Sequence, residues 1–412
     1  MKKIFLFFFV LFVVGVGMLF FKENKKENDV PVMNDVTQEI TEQKEKEVEN
    51  KKIYAVWLTY SEIGLFVKGK SEAEYRESIE SVFESLKENK INTVFYQCRA
   101  FCDSFYNSDI FPVSKYITAD TTLTFDPLRI FLEKADEYNI SVHCWVNPYR
   151  VSYDSEFENL PKNSPARELY KKNKNSMIIC DKGIFLNPAH AESQKLVLDG
   201  IREILNKYNV AGIHFDDYFY PETKELNDEK LYEKYKKQGG SLSISDWRRE
   251  NVNVLVGSVY SLIKSRNDNL IFSVSPSADI EKCKNVFYAD VEKWCREEGF
   301  ADYIIPQIYF GFENETMPFE KIVDEWENIT WGGCADLVCG LAAYKCGEPD
   351  ENAGTGGNEW NKNVNILSRQ YEQISESKVW QGFSLFSYSY CFGENVSEIS
   401  KKEIKNLLYM VE

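Results

Sequence analysis

The chain has 412 residues, enough for one large domain with extensions or for two ordinary ones. Its formal net charge of -16 argues against a nucleic-acid partner, because a polyanion binds through lysines and arginines that displace its counterions. Ten cysteines are scattered with no zinc-type Cys/His spacing, so reduced, mostly buried thiols are the plainer reading, beside a bridge of Cys98 with Cys102 or one among Cys334, Cys339 and Cys346.

Lys2 and Lys3 precede an unbroken apolar run, Ile4 to Phe21. Eighteen helical residues span about 27 Å, close to the hydrocarbon thickness of a bilayer. No small-residue cleavage site follows, only Gly15 and Gly17 and then bulky Met18 to Phe21. Residues 1–21 therefore read as an uncleaved signal anchor in preference to a cleaved signal peptide. The expectation is a single-pass cell-membrane protein with an extracellular domain; cleavage would make it a secreted one. Residues 22–52 are about half charged and hold no aromatic, so they cannot bury enough apolar surface to order themselves and read as a flexible linker.

From residue 53 onward, short apolar runs alternate with longer amphipathic stretches. The runs read as buried strands: Ile53–Tyr60, Asn92–Arg99, Ser141–Pro148, Gly212–Asp217, Leu270–Ser277, Ala301–Tyr309, Asp336–Tyr344 and Trp380–Tyr388. Helices are predicted at 71–89, 126–139, 191–208, 245–267, 287–298, 318–329, 360–376 and 397–410. Ser71 stands three residues before Glu74, a capping-box spacing, and Asp126-Pro127 places proline in a first helical turn. Eight strand–helix units in order predict a (β/α)8 TIM barrel over residues 53–412. A doubly wound sheet is the rival, but it carries a glycine-rich phosphate turn after its first strand, where this chain has LTYSEIG.

In such barrels, chemistry gathers where strands end in the βα loops. The polar residues there are Glu62, Arg99, Asp103, Asn147, Asp216, Asp217, Asp279, Gln307, Tyr309, Tyr344, Lys345 and Tyr388, with His143 and His214 lower in their strands. Asp216-Asp217 stands out, because the apolar strand GIHF runs straight into two acids and then YFYP. Adjacent strand residues face opposite ways, so period-2 spacing puts Asp216 on the face of His214 and leaves Asp217 at the rim. Paired carboxylates suit glycoside hydrolysis, one protonating the leaving oxygen while the other attacks or activates water. The plainer alternative is that the pair caps the next segment or pairs with Arg99. Asp103 is the second candidate, beside its reading as a surface turn residue. Tyr218 to Tyr220 lie past the strand, where an aromatic can face a sugar ring. Three histidines in the whole chain disfavour a metal-dependent hydrolase, and no metal or cofactor is expected.

The segments FYQCRAFCDSFYNSDIFPVSKYIT, FDPL, HCWVNPYRV, FLNPAH, AGIHFDDYFYP, SVSPSA, ADYIIPQIY and GLAAYK together resemble, in order, the glycosyl-hydrolase-like family 10 domain of bacterial envelope proteins. The resemblance covers about residues 52 to 390. It implies a (β/α)8 barrel with glycosidase activity, and a relative that cuts peptidoglycan glycan strands stripped of their peptides. Carried over residue by residue, it implicates Asp103, His143, Asn147, His214, Asp216, Asp217, Gln307 and Tyr309. The chain departs from the family pattern at Ala100-Phe101-Cys102, before Asp103, and at Ala278-Asp279. Asp216 is thus the expected catalytic carboxylate, with Asp217 or Asp103 as its partner. Arg99, His143, Asn147, His214, Tyr218, Gln307, Tyr309 and Tyr344 are the expected substrate-binding residues. A wall-binding barrel without catalysis is the alternative.

Overall fold

The computed structural model describes residues 52–120 and 122–411. The expected membrane helix and nearly all of the charged linker lie outside these residues; among the described ones, no helix is long and apolar enough to cross a membrane.

Eight parallel strands close into a barrel. They are β1 (Ile53–Leu58), β2 (Thr93–Arg99), β3 (Ser141–Val146), β4 (Gly212–Phe215), β5 (Ile271–Val274), β6 (Tyr303–Ile304), β7 (Asp336–Leu341) and β8 (Trp380–Leu385), in the ring order β1-β8-β7-β6-β5-β4-β3-β2. β1 closes the ring on β8, pairing Ile53 with Gly382 and Val56 with Leu385. Every position of β2 is buried, because one of its faces meets the barrel interior and the other the helix layer. Helices begin where the sequence supplies caps. Ser71 N–H donates to Glu74 Oε2 at 2.8 Å and Glu74 N–H returns to Ser71 Oγ at 3.3 Å, opening the helix Glu72–Glu88. Asp126, whose Oδ1 accepts from Arg129 N–H at 3.3 Å, and Pro127 in the first turn open Pro127–Tyr138.

The interior is a plug of Ala55, Trp57, Phe95, Trp145, Ile305 and Val338. Large rings on β1 and β3 need room on the facing strand, and Gly340 on β7 supplies it. A Cβ there would stand 3.2 Å from the Trp57 ring and 2.7 Å from the Pro306 carbonyl oxygen.

Several elements differ from expectation. The sixth strand, expected over Ala301–Tyr309, pairs regularly only at Tyr303–Ile304, since Pro306 has no N–H to give a ladder; Gln307 then makes isolated bridges to Ser277 and Gly340. Tyr60, expected to end the first strand, instead starts the helix Tyr60–Val67, capped by Thr59 and Glu62. Between β3 and the helix Ala191–Lys207 lies a small antiparallel sheet, with Gly183–Leu186 between Arg150–Ser152 and Met177–Cys180, where the sequence pattern showed no element. All ten cysteines are free thiols, and only Cys334 is exposed.

Candidate active site

β4 builds the centre of the barrel mouth. His214 points into the plug, where its ring stacks on Phe95 with centroids 4.2 Å apart. Trp57 Nε1–H donates to His214 Nε2 at 3.0 Å. An indole only donates, so Nε2 is the bare nitrogen, and Nδ1–H must face Ser273 Oγ at 2.8 Å. Burial holds this imidazole far below its ordinary pKa, and it is neutral. It is a fixed floor tile rather than a contact for anything in the mouth.

Two residues on, Asp216 is buried, with Oδ2 accepting from Trp145 Nε1 at 3.2 Å and Oδ1 from Tyr218 N–H at 3.4 Å. Asp217 is half-buried at the rim, beside the Gln307 side chain, whose Nε2 donates to the Ser275 carbonyl at 3.0 Å. Both carboxyls line a cavity of about 330 Å³ at the barrel mouth. Burial pushes both above the ordinary carboxylate range, and the charge of Asp217 pushes Asp216 further. Two acids this close share protons as a unit, so the pair retains a proton at a pH where an exposed aspartate has lost it.

The opposing influence is Arg150, whose charge favours the ionised forms of both acids. Its guanidinium lies 3.2 Å from the Tyr218 ring centroid and 4.3 Å from that of Tyr153, and Nη1 donates to the Tyr153 hydroxyl at 2.6 Å. The far wall carries Tyr309, Phe386 and Tyr390. Glu62 lies there too, but it is wholly committed. Its Oε1 accepts from Ser387 Oγ and Ser389 N–H, each at 2.7 Å, and its Oε2 from Thr59 N–H at 2.7 Å and Thr59 Oγ1 at 2.8 Å.

The fold thus brings Asp216, Asp217, Tyr218, Gln307 and Tyr309 into one cavity. It seats the other sequence candidates elsewhere. Asn147 lies one layer back, accepting from Gln97 Nε2 at 2.8 Å, and Gln97 is the residue that reaches the cavity. Tyr344 packs edge-on behind Tyr309, centroids 5.7 Å apart. His143 is buried beside Phe95 with its pKa lowered to about 4 by burial. Arg99 faces the outer layer, 4.6 Å from the Phe111 ring centroid and against Gly200, because a register shift after Gln97 turns it out of the barrel. It does not pair with Asp216. Asp103 lies in a neighbouring cavity, also about 330 Å³, that shares Tyr153 with the mouth. Burial raises its carboxyl to about 6, and Oδ1 has no hydrogen-bond partner.

Sequence reasoning passed over Gln97, Arg150 and Tyr153. Gln97 carried a signal, being a polar residue in step with inward Phe95 in an otherwise apolar strand. Arg150 and Tyr153 follow β3 in an excursion with no periodicity to orient them. Among the described residues, no three His, Cys, Asp or Glu side chains converge as a metal ligand set.

Comparison with known proteins agrees with this architecture. The family model described as Glycosyl hydrolase-like 10 matches residues 52–355. The chain is 29% identical to Glycosyl hydrolase YngK of Bacillus subtilis over 331 residues, covering 75% of this chain and 64% of that protein. It is 32% identical to Glycosyl hydrolase DigH of Escherichia coli over 285 residues, covering 63% and 64%. The matched region thus spans just under two thirds of the length of these relatives. Among solved structures, the PgaB (BpsB) glycoside hydrolase domain of Bordetella bronchiseptica superposes with a TM-score of 0.53 at 11% identity, covering 84% of this chain and 96% of that one. Alpha-L-fucosidase isoenzyme 2 of Paenibacillus thiaminolyticus does so at 0.51 and 11%, covering 87% and 49%. At such identity these two speak to the fold alone.

Proposed function

Since the chain belongs to the glycosyl hydrolase-like 10 family, we propose that it is a glycoside hydrolase of cell-wall glycan, with Asp216 and Asp217 as its acid/base machinery. The observation that carries this reading is the pair itself. Two adjacent carboxyls at the end of β4 both have their pKa raised by burial, and both face an open cavity walled by aromatic rings. A carboxyl that keeps its proton can protonate a glycosidic oxygen, and its ionised neighbour can stabilise the positive charge that develops on the sugar. Tyr309, Phe386 and Tyr390 offer flat apolar surfaces to a pyranose, and Gln97 and Gln307, their amides held in place by Tyr60 N–H, Asn147 and the Ser275 carbonyl, add polar groups to the same cavity. Peptidoglycan glycan strands are the favoured substrate, a choice supported by the resemblance of the strand-end segments to a family of envelope proteins and by the apolar run Ile4–Phe21, which would hold the barrel outside the membrane. Membrane fractionation of cells would test that placement.

The direct test is incubation of the full chain and its Asp216→Asn variant with purified, peptide-free glycan strands. Wild type should release new reducing ends, and the variant should be slower by roughly 100-fold or more. If both bind the strands and neither cuts them, the protein is a glycan-binding barrel and the hydrolase reading fails.

A further inference from the structure

A hydrolase that uses only its own carboxylates needs one on each side of the anomeric carbon. Retaining enzymes place them about 5 Å apart and inverting enzymes about 6.5–9.5 Å apart. The mouth cavity is lined by three acids: Glu62, Asp216 and Asp217. Asp216 and Asp217 are consecutive residues on one strand end, their Cα atoms about 3.8 Å apart, so both approach a bound sugar from the same wall. The facing wall belongs to the ends of β1 and β8, and β8 stands diametrically opposite β4 in the ring. Its acid is Glu62, whose two oxygens already accept four hydrogen bonds from Thr59, Ser387 and Ser389. Freeing Glu62 for attack would leave those donors unpaired, the buried Ser387 hydroxyl among them, and uncap the helix Tyr60–Val67. Asp103 opens into the other cavity, beyond Tyr153. The mouth therefore offers an acid and a polar orienter on one side of the sugar and, among the described residues, no free carboxylate on the other.

Building on the hydrolase reading, we infer that the missing nucleophile is supplied by the substrate, and that the enzyme acts on 2-acetamido-2-deoxy-hexopyranosides, using the acetamido carbonyl oxygen of the sugar being cleaved. Asp216, the deeper acid, keeps the pair's proton and gives it to the departing glycosidic oxygen. As the C1–O bond breaks, the acetamido oxygen bonds to C1 and closes a five-membered oxazolinium ring. Asp217, ionised at the rim, accepts a hydrogen bond from the N–H of that ring and balances its charge. Asp216, now a carboxylate, takes a proton from water while the water oxygen bonds to C1. The ring opens, its electrons return to the amide, and Asp216 is left protonated as it began. The sum is one glycosidic bond and one water consumed and two alcohol groups formed, with the anomeric configuration retained. Sugars with a hydroxyl or an ammonium at C2 have no such nucleophile.

The test uses the full chain and peptide-free glycan strands, with reducing-end release as the readout. Thiazolines of N-acetylglucosamine and of N-acetylmuramic acid, which mimic the bicyclic intermediate, are added separately. At least one should slow release tenfold or more at concentrations where the parent monosaccharide has no effect, and NMR of the first product should show the substrate's own anomer. The Asp103→Asn variant, checked for wild-type circular dichroism, should keep at least a tenth of the activity. If strands are cut but neither thiazoline inhibits, or the product anomer is inverted, the inference is overturned while the hydrolase reading stands. A folded Asp103→Asn variant as inactive as Asp216→Asn would also overturn it, by revealing a third carboxyl in the reaction. If wild type cuts no strands, it is the hydrolase reading itself that falls.

Discussion

Arg150 sets the charge balance of the mouth, because its guanidinium is the cation that favours ionisation of both acids. Replacing it with methionine removes that influence, so the carboxyl pair holds its proton to higher pH. The alkaline limb of the pH–rate profile should then move upward by about 1 pH unit, and an unmoved limb would show that Arg150 does not sense the pair. Asp103 makes an opposite kind of statement, about stability. Its folded pKa of about 6 lies above the ordinary 3.8, so the folded state binds the proton more tightly than the unfolded one. Between those values, rising pH ionises the unfolded chain first, and the folded state loses stability until about pH 6 is passed. Asp103→Asn lacks this loss. Its stability relative to wild type should improve by up to about 3 kcal/mol between pH 4 and pH 7 in urea unfolding, whereas parallel curves would contradict the buried, protonated carboxyl. At this scale the acids were legible, since two charges ending an apolar strand have few structural explanations. Arg150 was not, because nothing in its neighbours' spacing says where an arginine beyond a strand will turn. Arg99 misled for a related reason. Period-2 reading assigns it the face of Gln97, and a single register shift reverses that.

Elements with a strong local signal were readable, and those defined by pairing partners were not. The helix Glu72–Glu88 announces itself through Ser71 and Glu74, which cap it reciprocally. Ser71→Ala should lower unfolding stability by about 1 kcal/mol, measurable as a shifted urea midpoint with unchanged slope. The eight apolar runs marked the strands, but their C-terminal ends were overestimated wherever the chain leaves the sheet to build the mouth. Tyr60, Tyr309 and Phe386 are aromatic there because they line a cavity, and composition cannot tell that from pairing. The excursion between β3 and Ala191–Lys207 was invisible because its three strands are only three or four residues long and owe their form to one another. Gly340 illustrates a constraint that acts between elements. An alanine there would meet Trp57 and the Pro306 carbonyl, so Gly340→Ala should destabilise the barrel by roughly 1–3 kcal/mol through overpacking.

For the molecule as a whole, the plug and the mouth are one construction. Trp57 fills the interior and also holds His214, which lies two residues before Asp216 on the same strand. Trp57→Ala should cost about 3–5 kcal/mol in denaturant unfolding and should also lower hydrolysis in variants that remain folded, because it frees an imidazole below the acids. An unaffected rate would mean that floor and mouth are mechanically separate. The plug has one more consequence. Its lining is hydrocarbon and indole around a neutral imidazole, so it forms an electrical insulator beneath the acids. Protons then have a single door, the mouth, and a sugar seated there closes it. While the door is shut, the departing oxygen can take only the proton the pair held when the substrate arrived, and the next one comes in with the water.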